Sequence, residues 1–232
     1  MQSAIPRVYI MAGQSNMAGD SLPADLPRRL LYQSPRLHYY NTTRDPPATS
    51  ILTQEKFGPE ASMYPIVLRY GKSRQLYIVK YAKGASPIVD WQKGEVNYIA
   101  LIAAIDGAGL PENVIYTGFI WLQGENDSRT DNEDGALGYK PNLEALVADL
   151  RSDLSSPNMR IYIIRVNPPE AGYSHASIVR QAQEEVADED SFGRWINTDD
   201  LTKFEDDIHY DDQGQLRLGR RLAHTILQFR LA

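Results

Sequence analysis

Near its start the chain passes from an apolar run into a polar turn within a few residues. Val8-Tyr9-Ile10-Met11 leads straight into Ala12-Gly13-Gln14-Ser15-Asn16-Met17-Ala18-Gly19. Such a run reads as a strand buried on both faces, and the glycine and small residues beyond it as a tight turn into a helix. A strand, turn and helix in this order lift a serine hydroxyl out of the carboxyl edge of a sheet into a cleft. Ser15 is therefore the candidate nucleophile, against the competing reading of a serine that merely caps the helix. Ser21, in Gly19-Asp20-Ser21-Leu22, is the rival serine, but it stands too far past the strand end.

Apolar, β-branched runs recur at 7–11, 37–40, 76–81, 114–122 and 161–166, between helical patterns at 63–72, 98–107, 139–154, 177–187 and 213–231. Leu143, Leu146, Val147, Leu150 and Leu154 form the stripe of a helix lying on a sheet. Strands alternating with helices predict an α/β three-layer sandwich with a central parallel sheet. The 232 residues suit one such domain, 1–232, with no visible linker or repeat. The long connections 20–36 and 41–59 read equally as binding walls or surface filler. Residues 127–138 read as a solvated acidic loop.

Composition narrows the chemistry. The absence of cysteine excludes disulfides and thiol catalysis. A formal net charge of −6 argues against nucleic acid as partner. Of the four histidines, His38, His175, His209 and His224, no two stand in a metal-binding helix spacing, so neither metal nor other cofactor is expected. No apolar stretch approaches the roughly 20 residues of a membrane span, and residues 1–6 do not read as a secretory leader. The compartment is left open.

A nucleophilic serine needs a base, a carboxylate to orient it, and donors for the developing oxyanion. Asp206-Asp207-Ile208-His209 offers an acid three residues from a histidine, although Asp206 could equally cap the helix that follows. At the other strand ends, Gly84 in Lys83-Gly84-Ala85-Ser86-Pro87 presents a backbone N–H, and Gln123 in Trp121-Leu122-Gln123-Gly124-Glu125 a side-chain amide.

These blocks, in their order along the chain, resemble the SGNH hydrolase superfamily, and within it the carbohydrate acetylesterases related to acetylxylan esterases and sialic acid 9-O-acetylesterases. The resemblance spans most of the chain and implies a flavodoxin-like fold. It implies Ser15 as nucleophile, His209 as general base and Asp206 as its partner, with an oxyanion hole from the N–H groups of Ser15 and Gly84 and the amide of Gln123. Asn16 and Glu125 take supporting roles. The substrate implied is an acetylated carbohydrate, and Trp91 and Tyr210 are the aromatic candidates for stacking on a sugar ring. One departure stands out: where the family has a second glycine and a threonine, this chain has Ala85-Ser86, and an alanine there is strained if the position needs a positive φ. The rival functions are a lipid or thioester hydrolase with the same triad, and a catalytically inactive carbohydrate-binding domain.

Overall fold

The computed structural model describes residues 5–71 and 74–229. Lys72 and Leu231, expected as helix ends, and residues 1–4 of the expected leaderless start lie outside them. Six parallel strands form the sheet: β1 (Arg7–Gly13), β2 (Leu37–Asn41), β3 (Leu76–Ala82), β4 (Ile115–Leu122), β5 (Arg160–Ile164) and β6 (Gly193–Ile196). Their spatial order is β2-β3-β1-β4-β5-β6. Without the edge strand β2 this is the flavodoxin order, in which the chain runs outward from β1 on one side and then on the other.

Among the described residues, seven α-helices connect or flank them: α1 (Ser15–Ala18), α2 (Glu60–Tyr70), α3 (Val96–Gly107), α4 (Glu133–Leu137), α5 (Tyr139–Asp153), α6 (Ala176–Glu189) and α7 (Asp212–Phe229). Helix α2 packs on α7, and α5 on α6, giving the expected helical layers. The stripe on α5 lies as read, with Leu143, Leu146, Val147 and Leu150 buried. Strand β1 is the centre of the core. Val8, Tyr9, Ile10 and Met11 have no exposed surface, and burial of each such side chain contributes roughly 1.5–3 kcal/mol.

Two elements escaped the sequence reading. Strand β6 has four residues, only Gly193 and Ile196 of them buried, too few for a periodic pattern. Helix α4 sits in the segment read as a solvated acidic loop, started by Asn132, whose side chain accepts from the Gly135 N–H. That segment is also not uniformly solvated, because Asp127 and Ser128 are fully buried.

The register places the site. Gly13 is level with Ala82 on one side and Leu122 on the other, so β3, β1 and β4 end abreast at the point where strand order reverses. Gly13 has φ 150°, and a Cβ there would lie 1.9 Å from the Leu122 carbonyl oxygen. Only glycine lets β1 turn this close to β4.

Candidate active site

Ser15 is the first residue of α1, directly beyond that turn. Its Oγ lies 2.8 Å from His209 Nε2, and His209 Nδ1 lies 2.6 Å from Asp206 Oδ2. Asp206 Oδ1 accepts from the backbone N–H groups of Ile208 and His209, both at 2.9 Å. Burial raises the Asp206 carboxyl, but its hydrogen bonds from the His209 ring and from the two backbone N–H groups outweigh this and hold it below the ordinary carboxylate value. The capping reading of Asp206 does not apply. Asp211 caps α7 instead, its Oδ1 accepting from the Gly214 N–H at 2.7 Å. Asp207 turns to Lys203, and Ser21 is buried with no hydrogen-bond partner for its hydroxyl.

A cleft of about 330 Å³ opens over Ser15 and His209. Gly84, Ala85, Asn126, Arg129 and Tyr173 are among the residues that line it. The Ser15 N–H, in the first turn of α1, has no intrahelical acceptor, and the Gly84 N–H donates to no backbone group among the described residues. Ala85 is left-handed, φ 54°, so the alanine expected to be strained if its position needs a positive φ is strained here. Gly84 itself has open space where a Cβ would stand.

Three expected site residues are elsewhere. Gln123 is fully buried below the cleft, and its amide N–H groups go to Ser86 O at 2.8 Å and Asp127 Oδ2 at 2.5 Å. Both donors are consumed in tying the β4 end to the loop after β3, so none is left for an oxyanion. Trp91 has no exposed surface; its Nε1–H donates to Ser86 Oγ at 2.9 Å, and its ring meets Trp121 edge-on. Tyr210 is also interior, at 1% exposure. Neither ring can stack on a sugar. Asp127, beneath the cleft, is raised by burial to about 6, against the lowering effect of the hydrogen bonds from Gln123 and the Ile88 N–H.

The cleft instead presents an amide that the sequence reading passed over. Asn126 is half-buried, with Nδ2 donating to Ala85 O at 2.8 Å and a second N–H to spare. The available signal was its place, one residue beyond Glu125 in the run after β4. Gln14 was passed over too. Its side-chain oxygen is placed to accept from the N–H groups of Gly124 and Asn126, at 3.3 and 3.4 Å, drawing the β4 turn toward the β1 turn.

Asn16 is the bracket of the site. Its Nδ2 donates to Glu125 Oε1 at 2.7 Å and to Ile208 O at 3.1 Å, and its Oδ1 accepts from the Tyr210 N–H at 2.9 Å. It thus grips the peptides on either side of His209 from the residue next to Ser15. Burial raises the Glu125 carboxyl, against the Asn16 hydrogen bond, and Glu125 Oε2 is buried with no partner. It is Asp206, not Glu125, that touches the His209 ring.

The chain as a whole matches a defined family. The profile described as carbohydrate esterase, sialic acid-specific acetylesterase, aligns with residues 6–228. The chain belongs to this family of carbohydrate esterases. A probable carbohydrate esterase of Arabidopsis thaliana is 25% identical over 255 residues, covering 98% of this chain and 93% of that protein. Among solved structures, an Arabidopsis thaliana protein superposes with a TM-score of 0.80 at 20% identity, over 96% of this chain and 98% of its own. NanS superposes with a TM-score of 0.75 at 16% identity, over 100% and 99%. A carbohydrate acetylesterase from Xanthomonas citri gives 0.67 at 21% identity, over 93% of this chain and 55% of its own. The fold is that of the SGNH-type hydrolases and the enzyme class is esterase. No helix among the described residues of this esterase is long and apolar enough to cross a membrane.

Proposed function

We propose that this esterase, acting as one domain over residues 1–232, removes acetyl or another short acyl group from a carbohydrate hydroxyl through an acyl-enzyme on Ser15. The observation that carries the proposal is the unbroken line Ser15 Oγ, His209 Nε2, His209 Nδ1, Asp206 Oδ2, with contacts of 2.8 and 2.6 Å.

His209 Nε2 takes the Ser15 proton as Oγ bonds to the ester carbon, and the carbonyl electron pair moves to oxygen. The N–H groups of Ser15 and Gly84 and the free N–H of Asn126 Nδ2 receive that oxyanion. Collapse breaks the bond to the sugar oxygen, which leaves with the proton from His209. Water, giving its proton to His209, then adds to the acyl carbon, and a second collapse frees the acid and restores Ser15. Asp206 stays ionised throughout and offsets the imidazolium charge.

The small residues Gly84 and Ala85 suit a short acyl group. Tyr173 supplies the aromatic face for the sugar in place of Trp91 and Tyr210. Beside it, Arg129 is bound to Asp131 through Nε and Nη2 at 2.9 and 3.0 Å, which leaves its Nη1 for a sugar hydroxyl. The test is release of free acetate from a panel of acetylated saccharides by the wild-type protein and Ser15→Ala. Release by the former alone is expected. Release by both, or hydrolysis confined to long-chain lipid esters, overturns the proposal.

A further inference from the structure

The long connection between β2 and α2 encloses a second hollow, also of about 330 Å³. It is lined by Asn41, Thr43, Thr49, Thr53 and Gln54, and reaches Ala18. Ala18 stands one helical turn beyond Ser15, on the same face of α1. Laterally, Asn41 is level with Lys80 on β3, and Lys80 with Met11 on β1. β2 and β1 thus stand two strand spacings or about 10 Å apart, and the two hollows lie beyond their carboxyl ends.

The chemistry of the lining is that of a neutral, hydroxyl-rich ligand. The charged side chains are two cations, Arg44 and Lys56, and two anions, Asp45 and Glu55. Arg44 and Glu55 pair at 2.9 Å, and Lys56 donates to Asp20 O at 2.8 Å. Summed over the lining these charges cancel, and Lys56 also stands 4.0 Å from Asp20 Oδ1. The buried amides of Asn41 and Gln54 form a fixed floor, with Asn41 Nδ2 on Gln54 Oε1 at 3.0 Å and Thr43 N–H on Asn41 Oδ1 at 2.9 Å. Each amide keeps a further N–H, and the Thr49 and Thr53 hydroxyls bond to no group among the described residues. Fixed amides with spare donors and free hydroxyls suit carbohydrate better than an apolar or charged ligand.

A buried ion pair joins this floor to the serine helix. Gln54 Nε2 donates to Glu60 Oε1, Glu60 Oε2 pairs with Lys80 Nζ at 2.8 Å, and Lys80 Nζ donates to Ala18 O at 3.1 Å. Both charged side chains are fully buried. A buried pair of this kind is not a source of net stability in itself, and here it holds the second hollow and α1 in one frame.

We propose that this hollow is a subsite for a further neutral sugar residue, so that the esterase prefers acylated oligosaccharide chains to single sugars. The proposal rests on the carbohydrate-esterase reading of the Ser15 site. Its test compares the wild-type protein with Thr49→Val/Thr53→Val, which removes two exposed hydroxyls at constant shape. The substrates are acetylated mono-, di- and tetrasaccharides of one neutral sugar, with p-nitrophenyl acetate as the substrate too small to reach the hollow. Binding of the deacetylated tetrasaccharide is measured by calorimetry.

The expected result is that wild-type kcat/KM rises about tenfold with chain length, that the double variant loses this rise, and that both hydrolyse p-nitrophenyl acetate equally. No rise with length, or a rise that the variant keeps, overturns the subsite. Should no acetylated sugar be cleaved, the esterase reading fails separately. The subsite then stands if the variant weakens tetrasaccharide binding about tenfold, and falls if binding is absent or unchanged.

Discussion

Asn16 tests whether the geometry around His209 is held or incidental. Asn16→Ala removes three hydrogen bonds at a site that is 1% exposed: those to Glu125, to Ile208 O and from the Tyr210 N–H. The buried partners at Glu125 and Tyr210 are left unsatisfied at about 1–3 kcal/mol each, while the half-buried Ile208 carbonyl regains water. The expected loss of stability is thus about 2–6 kcal/mol. A histidine displaced by about 1 Å costs up to about a hundredfold in rate, so kcat should fall by about that factor. The Gln215 side chain still holds the Asn16 carbonyl at 3.0 Å, so α1 should remain formed.

Asn16→Asp separates the donor from the acceptor role. It keeps the acceptor for the Tyr210 N–H but sets a second carboxylate against Glu125, and one of the two must then bind a proton. A carboxyl whose folded pKa is raised contributes stability below its unfolded value and loses it as pH rises through the folded one. The gap in Tm between wild type and Asn16→Asp should therefore widen from about pH 5 to about pH 8. Thermal unfolding by circular dichroism and p-nitrophenyl acetate turnover at both pH values measure this. An Asn16→Ala protein with unchanged Tm, and kcat within about twofold of wild type, refutes the bracket.

Other substitutions test the remaining assignments. Glu125→Gln keeps an acceptor for Asn16 and removes a carboxyl raised by burial, so activity should persist within about threefold while stability relative to wild type improves as pH rises; collapse of kcat would make Glu125 the triad acid. Asn126→Ala should lower kcat by about 10²–10³ with little change in Tm, whereas Gln123→Ala should chiefly lower Tm by leaving Ser86 O without its donor and Asp127 with the Ile88 N–H alone; steady-state kinetics and melting of the two variants reverse the assignment if the effects are interchanged. Ala85→Gly relieves a left-handed alanine and should stabilise the chain by about 0.5–1 kcal/mol in denaturant unfolding; destabilisation would show that the strain is absent.

Much of this was legible in the residues, for physical reasons that differ along the chain. The β1 turn could be read because a run buried on both faces, a glycine forced by the Leu122 carbonyl and a small-residue helix leave few alternatives. The acid three residues before His209 could be read because that spacing closes within one turn. Gln123, Trp91 and Tyr210 were misplaced for one reason: a strand end fixes where a segment lies but not which of its next residues faces the cleft. Gln123 continues inward, and Asn126 comes to the surface. Trp91 and Tyr210 carry polar tips and stand near site residues in sequence, yet their rings are core. The Lys80 to Glu60 pair was invisible because its partners are joined only when β3 and α2 pack together. The second hollow depends likewise on how the connection 41–59 folds over the β2 end.

In the proposed mechanism Ser15 carries the acyl group. Treating the wild-type protein, Ser15→Ala and His209→Ala with a fluorophosphonate, then mapping the adduct by peptide mass spectrometry, tests it most directly. A single adduct on Ser15 is expected in the wild type, none in Ser15→Ala, and labelling slowed by orders of magnitude in His209→Ala. An adduct on Ser21, or labelling of Ser15 at the same rate without His209, would contradict it.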